Sequence, residues 1–196
     1  MTYATLAATY RPHTRSLAWM YDVTLVVGAT VAVAMSAQMA LVLPFSPVPV
    51  TGQTFAVLLV GALLGPQRAV AAMLLYIAEG MAGLPVFAAG GATVAVLAGP
   101  TGGYLAGFVV AAGMVGYLSQ RGWDRGLLTT LLAMTVGTAV IFLFGVTWLA
   151  FYLSEGSALQ LGLYPFIPGA VAKIILAALL LPLGWRLPGI RDHRTP

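Results

Sequence analysis

The sequence predicts an all-α membrane protein, a bundle of six transmembrane helices with ordered outer loops. Three observations carry this. Of the 196 residues, 60% are hydrophobic and only 7% are charged, where a soluble domain carries about a quarter. No Asp, Glu, Lys, Arg or His occurs from Val23 to Gln67, from Gly80 to Gln120, or from Gly126 to Ser154. Runs such as Leu127–Thr138 lack the two-residue alternation of a membrane barrel, which leaves the helix as the element that satisfies its own backbone in lipid.

The first helix is expected over 21–43. Arg11 and Arg15 ahead of the apolar run, with Ala32-Val33-Ala34 inside it, imitate a cleavable leader. The run continues to Leu43, so an uncleaved span is expected. Helices two (50–64) and three (67–82) fall short of the roughly 20 residues a span needs. Part of that region is therefore expected to be irregular and shielded by neighbours. Helices four, five and six are expected over 101–119, 126–153 and 166–185. Residues 1–20 and 186–196 form tails around a single membrane domain, 21–185.

Charge orients the bundle. Arg11 and Arg15 precede helix one, Arg68 lies in the turn Gly65–Arg68, Arg121 and Arg125 lie in the turn Gln120–Gly126, and Arg186, Arg191 and Arg194 follow helix six. Pro44–Pro49, Met81–Pro100 and Ser154–Pro165 hold no Lys or Arg. Eight of the nine basic residues thus fall on one side, which the positive-inside rule makes cytoplasmic, with both termini. The net charge of +4 follows from that topology and implies no nucleic-acid partner, because no basic, aromatic-interleaved patch is present.

Several chemistries lack their residues. There is no cysteine, hence no disulfide, thiolate metal site or cysteine nucleophile. Both histidines, His13 and His193, sit in tails, and no paired carboxylates occur. No catalytic residue, metal site or cofactor is expected, and an intramembrane enzyme is disfavoured. An autonomous ion-coupled carrier for a small carboxylate is the main rival. Such carriers usually show internal repeats, and none is visible here. The uncharged outer loops, rich in Gly and Pro, argue against a pure scaffold and point to a pocket opening outward.

The stretch GLPVFAAGGATVAVLAGPTGGYLAGF (Gly83–Phe108) is the densest in Gly. Gly90-Gly91 and Gly102-Gly103 permit positive φ or close backbone approach. Pro85 and Pro100 disfavour helix in the residue before each. Residues 84–100 are expected to form an ordered, non-helical lid, with helix four starting at Pro100 or Thr101. A phosphate cradle is excluded, since no G-x-x-x-x-G-K pattern follows. Close helix packing suits Gly103 and Gly107.

Lys173 lies about five residues into helix six, roughly 7–8 Å along the axis from Pro168. A lone intramembrane cation marks a functional site. Snorkelling to the interface and an ion pair with Glu79 are its structural alternatives. Gln53, after Thr51, either bonds a ligand or caps the second helix. Gly28, Ala32, Ser36 and Ala40 recur every four residues on helix one, a stripe on which another helix packs closely, within the chain or outside it.

PFSPVPVTGQTFAVLLVGALLGPQR (Pro44–Arg68), the Gly83–Phe108 stretch and YPFIPGAVAK (Tyr164–Lys173) together resemble the BioY family, the biotin-binding membrane subunits of energy-coupling-factor transporters. The order and spacing match from about residue 28 to 185. The resemblance implies a six-helix substrate-capture subunit of a bacterial or archaeal cell membrane. Biotin would sit near the outer face, with a coupling transmembrane subunit and two ATPase subunits as partners. It implies Lys173 as a pocket residue, here assigned to the biotin carboxylate. Gln53 and Thr51 would supply polar contacts, and Gly90 and Gly91 backbone groups. Phe87 and Tyr104 would wall the ring slot, joined by Trp148 and Tyr164, which are otherwise interfacial or packing aromatics. Gly28, Ala32, Ser36 and Ala40 would meet the coupling subunit. Three departures stand out: Ala170 replaces a family Asp that would accept urea N–H bonds, Gly91 stands where some relatives carry Asn, and Leu105 where some carry Arg.

Overall fold

Helix dominates the chain, as the composition requires. The computed structural model describes residues 2–153, 157–186 and 194–195. Most of the expected C-terminal tail, with Arg191, and residues 154–156 of the third outer connection lie outside the described residues. In chain order the elements are β1 (Thr2–Tyr3), α1 (Leu6–Thr9), α2 (Arg15–Gln38), β2 (Ala40–Leu41), β3 (Val50–Thr51), α3 (Gln53–Leu64) and α4 (Pro66–Met81). There follow α5 (Val94–Leu97), α6 (Gly102–Gln120), α7 (Leu127–Leu149), α8 (Ala158–Gly162), α9 (Ile167–Trp185) and β4 (Arg194–Thr195).

Among the described residues, four helical segments are long and apolar enough to cross a membrane: α2, α6, α7 with the turn extending it to Tyr152, and α9 with the segment from Ala158. The two shorter helices, α3 and α4, span about 18 and 24 Å from their 12 and 16 residues. Gly65, at φ 81°, turns the chain between them, and Pro66 starts α4 where its missing N–H is harmless. Shielding by neighbours is what α3 shows, with Val57, Leu58, Val60, Gly61, Ala62 and Leu64 all buried.

Helix α6 lies at the centre, against α3, α4 and α7. A Cβ on Gly103 would overlap the Trp148 side chain, and one on Gly107 would lie 3.1 Å from Ile141 Cα. These glycines set the α6–α7 spacing, the packing role expected of them.

The basic groups gather at one end. Arg11 and Arg68 both bond Asp22, each at 2.8 Å. Arg125 donates to Ala4 O (3.1 Å) and lies over the rings of Tyr3 and Trp185. Trp185 Nε1 donates to Asp124 Oδ2 (2.8 Å). β1 and β4 pair antiparallel, bringing the described terminal segments together.

Three expectations are corrected. The first helix runs Arg15–Gln38, so Ala40 is not on it. Ala40 pairs with Thr51 in the β2–β3 ribbon, and the small-residue stripe is reduced to Gly28, Ala32 and Ser36. The second helix begins at Gln53, which leaves Thr51 in a strand. The lid is not wholly non-helical: it contains a 3-10 turn, Ala88–Gly90, and the single turn α5. Pro85 and Pro100 flank these turns rather than exclude them.

Candidate binding site

At the end opposite the basic cluster, the connections 44–49, 81–100 and 157–165 are tied to one another and to the helices. Ser46 Oγ donates to Leu161 O (2.8 Å), joining the first connection to the third. Tyr104 O–H donates to Gly162 O (2.7 Å). Gln38 Nε2 donates to Phe87 O (3.2 Å), and Tyr76 O–H to Val86 O (2.8 Å), which hold the second connection to α2 and α4. Trp148 Nε1 reaches Gly99 O (3.0 Å), and Tyr152 O–H bonds Ala98 O. Uncharged side chains and backbone carbonyls thus build a fixed roof.

Beneath it lies a cavity whose space, counted out to the open solvent at its mouth, is about 830 Å³. Val48–Thr51, Gln53 and Thr54 line one side, Phe87, Ala88 and Val96 the roof, and Tyr104, Leu105 and Phe108 the α6 wall. Thr101, Phe142, Phe166, Ala170 and Lys173 complete it, and Lys173 is the one charged side chain among these lining residues. The walls are therefore largely apolar, with a few convergent polar groups.

Lys173 Nζ donates to Thr51 O (2.5 Å) and Thr54 Oγ1 (3.0 Å). An ammonium has three N–H groups, so two are engaged with the protein. Glu79 is not its partner. Glu79 Oε1 instead accepts from Thr30 Oγ1 (3.0 Å), and no Lys173–Glu79 bridge occurs among the described residues. The lysine lines the cavity, held there by these two bonds.

Gln53 is 4% exposed and does not cap α3 with its side chain. Its Nε2 donates to Tyr76 Oη (2.7 Å), and its Oε1 accepts from Thr51 Oγ1 (3.2 Å). Phe87 and Tyr104 are buried in the wall, and Phe87 meets Tyr76 edge-on at 5.5 Å. Ala170 shares the cavity face with Lys173 one turn away, as their spacing requires.

Lys173, Gln53, Thr51, Phe87 and Tyr104 are thus brought together. Four others are not. Trp148 faces a separate apolar groove with Ile77, Leu97 and Tyr152. Tyr164 is 56% exposed, because the turn Tyr164–Phe166 directs Phe166 inward instead. Gly90 (φ 74°) and Gly91 lie outside the wall and shape the turn behind Phe87, where Phe87 N–H donates to Gly91 O (3.0 Å). Sequence reasoning missed Thr54, Phe108, Phe142 and Phe166. A signal existed for two of them: Phe166 lies within the Tyr-Pro-Phe motif, and Thr54 follows Gln53.

On α2, Gly28 and Ala32 are exposed, and a Cβ on Gly28 would meet nothing within 4 Å. Ser36 is turned partly inward, its carbonyl accepting from Gly52 N–H (3.2 Å).

Comparison with known proteins places this architecture. The chain is 38% identical over 160 residues to "Biotin transporter BioY" of Rhizobium etli, covering 78% of this chain and 86% of that protein. It is 34% identical over 164 residues to the protein of the same name from Thermotoga maritima, covering 83% and 90%. Its fold matches the 2.1 Å crystal structure of the S-component for biotin from an ECF-type ABC transporter, with a TM-score of 0.77 at 22% identity, over 91% of this chain and 97% of that one. The pattern of the BioY family matches residues 8–189, most of the sequence, and this chain is a member of the BioY family.

Proposed function

We propose that this chain captures biotin as the membrane-embedded substrate-binding subunit of an energy-coupling-factor transporter. Lys173 carries the reading: one ammonium on a largely apolar wall, steadied by Thr51 O and Thr54 Oγ1. Biotin has an acid tail, a neutral cyclic urea and an apolar thioether ring. Lys173 takes the carboxylate, for which its third N–H is available. Ala170 leaves the ammonium without a carboxylate on the adjacent turn, so it stays open to an anionic guest. Gln53 and Thr51 serve the urea, while Phe87, Tyr104 and Phe166 enclose the rings.

The six longer helices each cross the membrane, α3 and α4 with the help of their flanking connections. Both termini face the cytoplasm with the arginine-rich end, and the cavity opens outward. The membrane is the cell membrane of a bacterium or archaeon. The exposed Gly28 and Ala32 face of α2 fits close approach by a helix of a coupling subunit, and two ATPase subunits supply the energy.

Calorimetric titration of the purified protein in detergent with biotin and with biotin methyl ester tests this. Saturable binding of the acid, with the ester at least tenfold weaker, is expected. Failure of both to bind would overturn the reading.

A further inference from the structure

We propose that Tyr76, which does not line the cavity, is a positioning residue that makes Gln53 present its carbonyl oxygen, an acceptor, to the bound ligand. This deepens the biotin reading and rests on it. The direction follows from hydrogen-bond donors alone. A tyrosine hydroxyl has one proton, and Tyr76 gives it to Val86 O (2.8 Å), a group that only accepts. Whatever meets Tyr76 Oη from Gln53 at 2.7 Å must therefore donate, so it is the amide nitrogen.

The other end of the amide agrees. Thr51 Oγ1 accepts from the Gln53 main-chain N–H (3.3 Å) and sends its own proton to Gln53 Oε1 (3.2 Å). Thr51 lines the cavity and Tyr76 does not, so the oxygen is on the cavity side. A carbonyl oxygen has two lone pairs, and Thr51 takes one. The second suits an N–H donor such as that of a cyclic urea. Tyr76 is fully buried, and its proton also holds Val86 of the roof, so the same hydroxyl fixes the roof and the polarity of the site.

The test uses biotin and its two cyclic carbamate analogues, each with one urea N–H replaced by oxygen. In the wild-type protein at least one analogue should bind about tenfold more weakly than biotin, the size of one lost buried hydrogen bond. In Tyr76→Phe the amide is free to turn, and the discrimination should fall to about threefold or less. Both analogues binding the wild type as tightly as biotin would overturn the acceptor assignment. Undiminished discrimination in a folded Tyr76→Phe would overturn the positioning role. Should that variant not fold, proton exchange at the wild-type Gln53 side-chain amide decides: one slowed N–H is expected, and two fast ones would contradict the proposal. A wild type that binds none of the three compounds instead overturns the biotin reading itself.

Discussion

At the basic end of the bundle, Asp22 takes Arg11 and Arg68 in partly exposed ion pairs, and Arg125 stacks on Tyr3 and Trp185. At the opposite end Lys173 has, among the described residues, no acid bonded to it, only a carbonyl and a hydroxyl, and neutral groups tie the connections together. The first arrangement spends its charges on each other, in contact with water. The second sets one charge, with no described acid bonded to it, in a largely apolar wall, where Coulomb interactions are stronger. Substitutions at the cavity end should therefore alter ligand capture, and those at the basic end only stability.

The largest effect is expected from Phe87→Ala. The ring is 1% exposed, packs on Tyr76 and forms part of the cavity roof. Thermal unfolding in detergent should report a loss of about 3 kcal/mol, with weaker biotin binding; an unchanged midpoint would mean the roof is not packed as described. Thr54→Val removes one hydrogen bond from the Lys173 ammonium. Biotin should bind about fivefold more weakly while the unfolding midpoint hardly moves, and an intact affinity would show that the ammonium needs no such support.

Asp124 sharpens the contrast from the basic end. Burial pushes its carboxyl above the usual carboxylate range, against the hydrogen bond from Trp185. The folded state then holds this proton more tightly than the unfolded chain. Its contribution to stability falls as pH rises from the unfolded value, about 4, through the folded one. Asp124→Asn keeps an acceptor for Trp185 and should flatten that fall in a series of melts across pH. A steeper fall would contradict it. The smallest effect belongs to Asp22→Asn, which breaks both ion pairs. It should lower stability by about 1 kcal/mol or less and leave biotin titration unchanged. A change in affinity would couple the two ends.

What the sequence could reveal divides along the same line. Charge gaps pointed to long apolar helices, and the arginines marked one end of the bundle, because these features follow from lipid and water alone. Lys173 was legible as the solitary cation in a span. Helix ends were less so: the apolar run to Leu43 hides a stop at Gln38, since the β2–β3 ribbon is as apolar as the helix before it. Phe166 and Tyr164 are two residues apart, and only the backbone turn decides which ring faces the cavity. The role of Tyr76 was invisible because it depends on a roof carbonyl ten residues away. Gly90 and Gly91 looked like ligand contacts because glycine fits both a close approach to a ligand and a turn, and here the turn is what they supply.

Lys173→Met, titrated with biotin and with biotin methyl ester beside the wild type, tests the central claim most directly. The account expects the acid to weaken by about a hundredfold in the variant and the preference for acid over ester to vanish. A variant that still prefers the acid as strongly as the wild type would contradict it, because the carboxylate would then be held by some group other than this ammonium.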